Sequence, residues 1–440
     1  MKKLALATLG CMLVLPGYGL SDLWQIFQIA NQNGASIQAE EKTSAASLNA
    51  FRSSAAGLFP QVSTSAVFSD ENSQGEESGT FRTETYSASL SQVVFSPYQW
   101  MSVVSGYHTA RSARSSYFYE YQQFIQTVIE DYFAVLKAED VLRVDQANVS
   151  DLNSAYIQAL AQYKVGISTV TAVKQAEAGY RQAEATEIQD ENALQSAKQN
   201  LQAITNVPVT ELLPLQEDLV WHLPQPANVA GWLQLALVNN QNLQASEEAT
   251  KSGKAALESR VGDWLPVVSL EASITDPHSD ANQTIFPEQN NEIDRKVELN
   301  LSWNLFTGPG SSDALGANPS SIQQGANLYE ADRETQEQIY RNTQMAVKQD
   351  FNQAQADLSN ITQYQAAVVA GQAALLQYQA RFKVGMATMT EVLQQVDDLY
   401  QDEQEYLSSQ YSFINDVVQL KLDAGVLDVR DLQSLNHLLG

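Results

Sequence analysis

The spacing of apolar residues changes period several times along the 440-residue chain. From Leu20 to about Ala56 it is helical and free of proline, with Leu23, Phe27 and Ala30 on one face, which predicts a helix. From Gln61 to Phe68 the period drops to two, with Val62, Ala66 and Phe68 opposite Ser63 and Ser65. An acidic loop at Asp70 to Thr80 follows. Glu84 to Phe95 then alternates in the same way, setting Tyr86, Ala88, Leu90 and Val94 against Ser87, Ser89 and Ser91. This pattern predicts a β-hairpin over 58–95 with one apolar and one small polar face.

The second half repeats the theme over 265–306. Val268, Leu270, Ala272 and Ile274 alternate with Ser269, Glu271, Ser273 and Thr275. After a polar loop at Asp276 to Arg295, Val297, Leu299, Leu301, Trp303 and Leu305 alternate with Glu298, Asn300, Ser302 and Asn304. Four strands of about ten residues in two hairpins fit membrane-barrel strands, lipid-facing on one side and lumen-facing on the other. Four strands cannot close a barrel, since about eight is the minimum, so copies of the chain must associate to hide the sheet edges.

Between and after the hairpins lie long helical stretches. No proline occurs from Tyr98 to Val207 or from Ser320 onward, and Ile125, Ile129, Tyr132 and Leu136 keep helical spacing, as do Leu375, Tyr378 and Phe382. Unbroken, Tyr98 to Tyr163 would run roughly 100 Å, which suits a coiled-coil assembly better than a globular domain. Pro208 to Pro226 interrupts the pattern before a helix-like segment from Ala227 to Val261. It predicts a small side domain at mid-length, with Leu427 to Leu439 packing near it. Gly308 to Ser321 reads as a strand-to-helix linker; it lacks the Lys–Ser/Thr ending of a phosphate loop.

One stretch occurs twice. Tyr163–Lys164–Val165–Gly166–Ile167–Ser168–Thr169 and Phe382–Lys383–Val384–Gly385–Met386–Ala387–Thr388 each join two long helical segments, about two hundred residues apart. A glycine can end one helix in the left-handed conformation, and a Ser or Thr can cap the next. Two such tips, near 166 and 385, mark an internal duplication. The first repeat then spans 20–226 and the second 227–440.

Composition narrows the setting. Net charge is −26 and pI about 4.4, while only 17% of residues are charged. That balance argues against nucleic acid, whose phosphates need a basic footprint. It fits either general solubility or an acidic lumen that favours cations. Lys2 and Lys3, the apolar run Leu4 to Leu15, and Gly17–Tyr18–Gly19 read as a signal peptide over 1–19. Cys11, the sole cysteine, lies within it; Gly10 before it raises lipidation as an alternative, although Thr8 stands where such sites usually carry Leu. No later apolar run is long enough for a transmembrane helix. His108, His222, His278 and His437 show no metal-ligand spacing, and adjacent Asp397 and Asp398 diverge on a helix. No catalytic motif, metal site or cofactor site is expected, and the chain reads as a non-enzyme.

The paired tips, the strand entries Leu58–Phe59–Pro60 and Trp264–Leu265–Pro266, and the strand ends Leu90 to Phe95 and Leu301 to Gly308 form a recognisable order with the C-terminal run Asp431 to Asn436. The chain resembles the TolC family of outer-membrane efflux and secretion channels over nearly its whole mature length. The resemblance implies a mixed α/β membrane protein in the outer membrane of a Gram-negative bacterium. It implies a homotrimer, with a 12-stranded transmembrane β-barrel of four strands per chain continued into a long α-helical periplasmic tunnel. It also implies passive conduction of drugs or proteins for an inner-membrane RND or ABC transporter, joined through a periplasmic adaptor. The adaptor would dock at the tips, on Lys164, Val165, Gly166, Lys383, Val384 and Gly385. Glu391 stands at the family's outer aspartate position and is expected to form an acidic constriction ring, its pKa raised by its symmetry mates; the other reading is a solvated helix carboxylate. Gln394, Ala387, Ala172 and Phe382 replace family residues of the gate, namely a second aspartate, an arginine, an aspartate and a tyrosine. The closed state would then be held by packing of Phe382, Met386 and Met389, or by other polar residues. A coiled-coil periplasmic adaptor or structural spacer is the rival reading, disfavoured by the alternating strands.

Overall fold

The computed structural model of the chain describes residues 21–73, 79–208, 211–216, 219–279, 292–303 and 319–440. The expected signal peptide with Cys11, and most of the 308–321 linker, lie outside these residues. Contacts divide the chain into two compact units.

One unit comprises Gln38–Glu120 and Leu237–Met345 and holds the sheet. Strands β1 (Gln61–Ser73), β2 (Gly79–Phe95), β3 (Val267–Ser279) and β4 (Asp294–Ser302) form one antiparallel sheet in the order β1-β2-β3-β4. The first three are longer than the ten residues expected. Register lines Val62 up with Leu90, Ala272 and Val297, and Ser63 with Ser89, Ser273 and Lys296. One face is therefore apolar and the other small and polar, as the two-residue period dictates. On the polar face Ser63 and Ser89 share a hydrogen bond of 2.8 Å, and Ser65 and Ser87 another of 2.8 Å. The apolar face has no cover of its own: Val62, Ile274, Val297, Leu299 and Leu301 are all exposed. Trp303, just past β4, donates its indole N–H to the Trp264 carbonyl just before β3 at 3.1 Å, tying the two ends of the second hairpin together.

The other unit comprises residues up to Ile37, Tyr121–Ala236 and Ala346–Gly440. The helical spacing read from sequence marks its core, since Ile125, Ile129, Tyr132 and Leu136 are all buried. The Tyr132 hydroxyl donates to the Leu213 carbonyl at 2.9 Å. The segment after Pro208 pairs with both ends of the chain, through a parallel bridge from Leu212 to Ser21 and an antiparallel one from Leu215 to Leu439.

The helices are α1 (Leu23–Asn33), α2 (Ala35–Ala56), α3 (Pro97–Lys164), α4 (Val170–Thr205), α5 (Val229–Asn239), α6 (Gln241–Gly262), α7 (Pro319–Lys383), α8 (Met389–Asp423) and α9 (Val429–Asn436). Two expected single helices are each broken in two. At Gly34 a side chain would meet the Ala30 carbonyl at 2.8 Å and the Phe124 ring at 3.1 Å, so the chain can turn there only without a Cβ. At Asn240 the side-chain oxygen accepts from the Leu243 N–H at 2.8 Å and starts a new helix. Helix α7 begins at Pro319 and takes in the last three residues of the expected linker.

Candidate functional site: the paired hairpin tips

Both tips are built by the same backbone bonds. Gly166 (φ +77°) and Gly385 (φ +75°) adopt the left-handed conformation that glycine enters without Cβ strain. The Gly166 N–H donates to Tyr163 and the Ile167 N–H to Gln162, at 3.0 and 2.9 Å. The equivalent bonds, Gly385 to Phe382 and Met386 to Arg381, measure 3.1 and 2.8 Å. Each pair closes a helix end with its last carbonyls satisfied. Thr169 then caps α4 by accepting from the Ala172 N–H, and Thr388 caps α8 by accepting from the Glu391 N–H.

The tips differ at one equivalent position. Ala172 and Glu391 each lie three residues beyond the capping threonine, and only Glu391 can reach back. Its Oε2 accepts from the Thr388 N–H at 2.6 Å and from the Thr388 hydroxyl at 2.8 Å, completing a capping box. These bonds, the backbone one first, hold Glu391 below the usual carboxylate range. The upward shift expected of a crowded acidic ring is therefore not what the chain itself imposes.

Beneath the turns the two hairpins pack on each other. Phe382, Met389 and Val392 meet Ala155, Ala159, Val173 and Ala176, with Ala172, Ala387 and Tyr378 packed against the cluster. Small residues on α3 and α4 make room for the Phe382 ring, which is 7% exposed. Met386 does not join them; it sits at the turn, 73% exposed. Within the chain, Phe382 and Met389 are therefore packed while Met386 is not, because it lies in the turn rather than on the packed face of a helix. A polar link that the sequence did not reveal joins the hairpins on the exposed side, where the Thr390 hydroxyl donates to Gln175 Oε1 at 3.2 Å. Arg381 closes the second turn by donating to the Met386 carbonyl at 3.3 Å, its guanidinium 5.3 Å from the Tyr378 ring centre.

At the tips Lys164 and Lys383 are exposed, while Val165 and Val384 present 70% and 69% of their surface. Glu391 and Gln394 are both exposed on α8, away from the buried row Met389, Val392 and Val396. No helix among the described residues is long and apolar enough to cross a membrane.

Comparison with known proteins agrees with this architecture. Residues 26–207 and 232–426 match the family of outer membrane efflux proteins. The outer membrane protein TolC of Salmonella enteritidis is 26% identical over 449 residues, covering 100% of this chain and 89% of the relative. The alkaline protease secretion protein AprF of Pseudomonas aeruginosa is 24% identical over 71% of this chain and 63% of its own length. In structure, the outer membrane protein VceC of Vibrio cholerae shares the fold at a TM-score of 0.79 and 15% identity, covering 92% of this chain and 97% of that one.

The family match and these relatives make the chain an outer-membrane efflux and secretion channel of Gram-negative type. The chain belongs to the outer membrane efflux protein family.

Proposed function

We propose that three copies of the chain form one passive exit duct, with β1 to β4 of each contributing to a 12-stranded barrel and the helical hairpins lining a periplasmic tunnel. One observation carries this reading. The sheet ends in two open edge strands, β1 and β4, while one face is apolar and the other a ladder of serines. Edges in a bilayer must be paired, and joining β4 of one copy to β1 of the next would pair them all. Twelve strands leave a lumen that side chains cannot fill, unlike eight.

The tips would serve as the periplasmic entrance. The exposed turn residues Lys164, Val165, Gly166, Lys383, Val384 and Gly385 would receive a periplasmic adaptor that brings an RND or ABC transporter. Glu391 and Gln394 would face the axis, and Phe382, Ala387 and Ala172 would hold the hairpins together behind them. The likeness to a protease secretion protein supports protein passengers beside drugs.

Cysteine crosslinking tests the assembly. Pairs of cysteines, one in β1 and one in β4, should give oxidised ladders that end at three chains in outer-membrane fractions. Ladders that stop at two chains, or no crosslink at any register, would refute the shared barrel.

A further inference from the structure

In the unit that carries the tips, four buried carboxyl oxygens meet no protein N–H or O–H donor: Oδ2 of Asp145, Asp350, Asp357 and Asp416. Each belongs to a carboxyl group that faces a carboxyl on a neighbouring helix, near enough to raise the pKa of one of the two. Asp145 on α3 meets Asp190 on α4, Asp350 on α7 meets Asp423 on α8, and Asp357 on α7 meets Asp416 on α8. An ionised carboxylate only accepts, so two in contact need a proton between them.

Neutral side chains donate to several of the other oxygens. The other oxygen of Asp145 accepts from the Tyr400 hydroxyl at 2.5 Å and from Gln404 at 3.2 Å, both on α8. Gln353 donates to Asp357 Oδ1 at 3.2 Å, and Gln419 to Asp423 Oδ2 at 2.8 Å. Asp416 adds a further negative charge facing Asp350. On these helices Arg143 is engaged with Asp140, Lys198 with Glu139, and Lys421 with Asp431. Among the described residues no cluster of three or more acidic, His or Cys side chains could seat a metal ion.

We propose that each of the three aspartate pairs holds one shared proton, and that these protons fasten the α3–α4 and α7–α8 seams at mildly acid pH and release them at alkaline pH. The direction of titration agrees. Burial first, and the facing carboxyl second, push Asp145 and Asp416 up to about 7 and Asp350 to about 8. A carboxyl raised on folding gives stability that is complete below its ordinary value and lost as pH rises through the folded one. The window of loss is therefore near neutrality and just above it. The inference concerns the helical seams of the chain and holds whether or not the tips form the gate.

Infrared difference spectroscopy on the purified full chain, with thermal melts followed by circular dichroism, tests it at about pH 6 and about pH 9. The wild type should show a protonated-carboxyl C=O band at the lower pH that disappears by the higher one, with a fall in melting midpoint. Asp145→Asn, Asp350→Asn and Asp416→Asn, which put an amide N–H where the proton sat, should each weaken the band and flatten the fall. A wild-type band already absent at the lower pH would overturn the proposal even if the variants failed to fold. So would melts in which all three variants keep the wild-type pH dependence. A wild-type midpoint at the higher pH that calcium restores and a chelator lowers, with no such response in the variants, would replace the proton by a metal ion.

Discussion

Thr390 of the second hairpin and Gln175 of the first are joined by a hydrogen bond of 3.2 Å, directly above the apolar cluster that buries Phe382. Phe382 offers no hydroxyl and Ala387 no charge, and the polar link between the hairpins here is this neutral bond. Being exposed, it is worth about 1 kcal/mol at most. Thr390→Val should leave the fold and the trimer intact while giving a larger, noisier single-channel conductance. Gln175→Ala should do the same, and the double variant no more than either alone. Conductance unchanged in both single variants would mean the bond does not restrain the entrance.

Glu391 is asked to do two things, and two substitutions separate them. Glu391→Gln removes the charge but keeps an oxygen that can accept from Thr388; Glu391→Ala removes both. If the carboxylate forms the constriction ring, both variants should lose cation preference, read as reversal potential in a salt gradient. If it only caps α8, Gln should behave as wild type and Ala alone should fray the helix start. The cap has its own pH signature. Hydrogen bonds from Thr388 lower the folded pKa, so its contribution is present above the ordinary carboxylate value and lost as pH falls through the folded one. A gate that loosens only on the acid side, in wild type and not in Glu391→Gln, is the expected trace.

The parts of this architecture that follow a period or a fixed local chemistry could be read from the chain. Alternation placed Val62, Leu270 and Leu299 on one face of a sheet, and a glycine followed by a threonine marked both tips. The two helix breaks were harder. Gly34 turns because Phe124, ninety residues on, crowds the site, and such a contact leaves no local trace. Asn240 did carry a signal, an N-cap residue inside a helical run, which the absence of proline obscured. Met386 looked like core from its type alone. The aspartate pairs were invisible for a different reason: acidic residues on a helix ordinarily face water, and only the fold brings Asp357 against Asp416. At the tip, the spacing from Thr388 to Glu391 is a capping box in plain view.

Glu248 shows the same limit in the sheet-bearing unit, where His108 seemed an isolated histidine. Its Nδ1 lies 2.7 Å from the buried Glu248 carboxylate, which Lys251 and Arg111 also reach at 3.1 and 3.6 Å. Burial alone would raise this carboxylate, but the bonds from His108 and Lys251 outweigh it and set it below its usual value. Its contribution is therefore present above the ordinary carboxylate pKa and lost as pH falls through the folded one. Glu248→Gln should cost roughly 2 kcal/mol, as for a charged hydrogen bond, and should remove part of the acid sensitivity of this unit. Thermal melts at neutral and acid pH check both; a variant as stable as wild type would make the cluster a solvated one.

The sheet makes the sharpest test of membrane insertion, because adjacent residues on one strand should give opposite results. Leu299 is 69% exposed on the apolar face, while Asn300 pairs with Ser269 on the other. Both are accessible in the single chain, so a soluble sheet would accept a charge at either place. In a barrel, Leu299→Arg puts a guanidinium into lipid at roughly 2–4 kcal/mol per chain, repeated in every subunit. Asn300→Arg puts it into the aqueous lumen, with Glu271 and Glu298 paired on that same face. Leu299→Arg should abolish heat-stable trimers and recovery from the outer membrane. Asn300→Arg should assemble normally and shift conduction toward anions. Equal recovery of the two variants would mean that the apolar face meets protein or water rather than lipid.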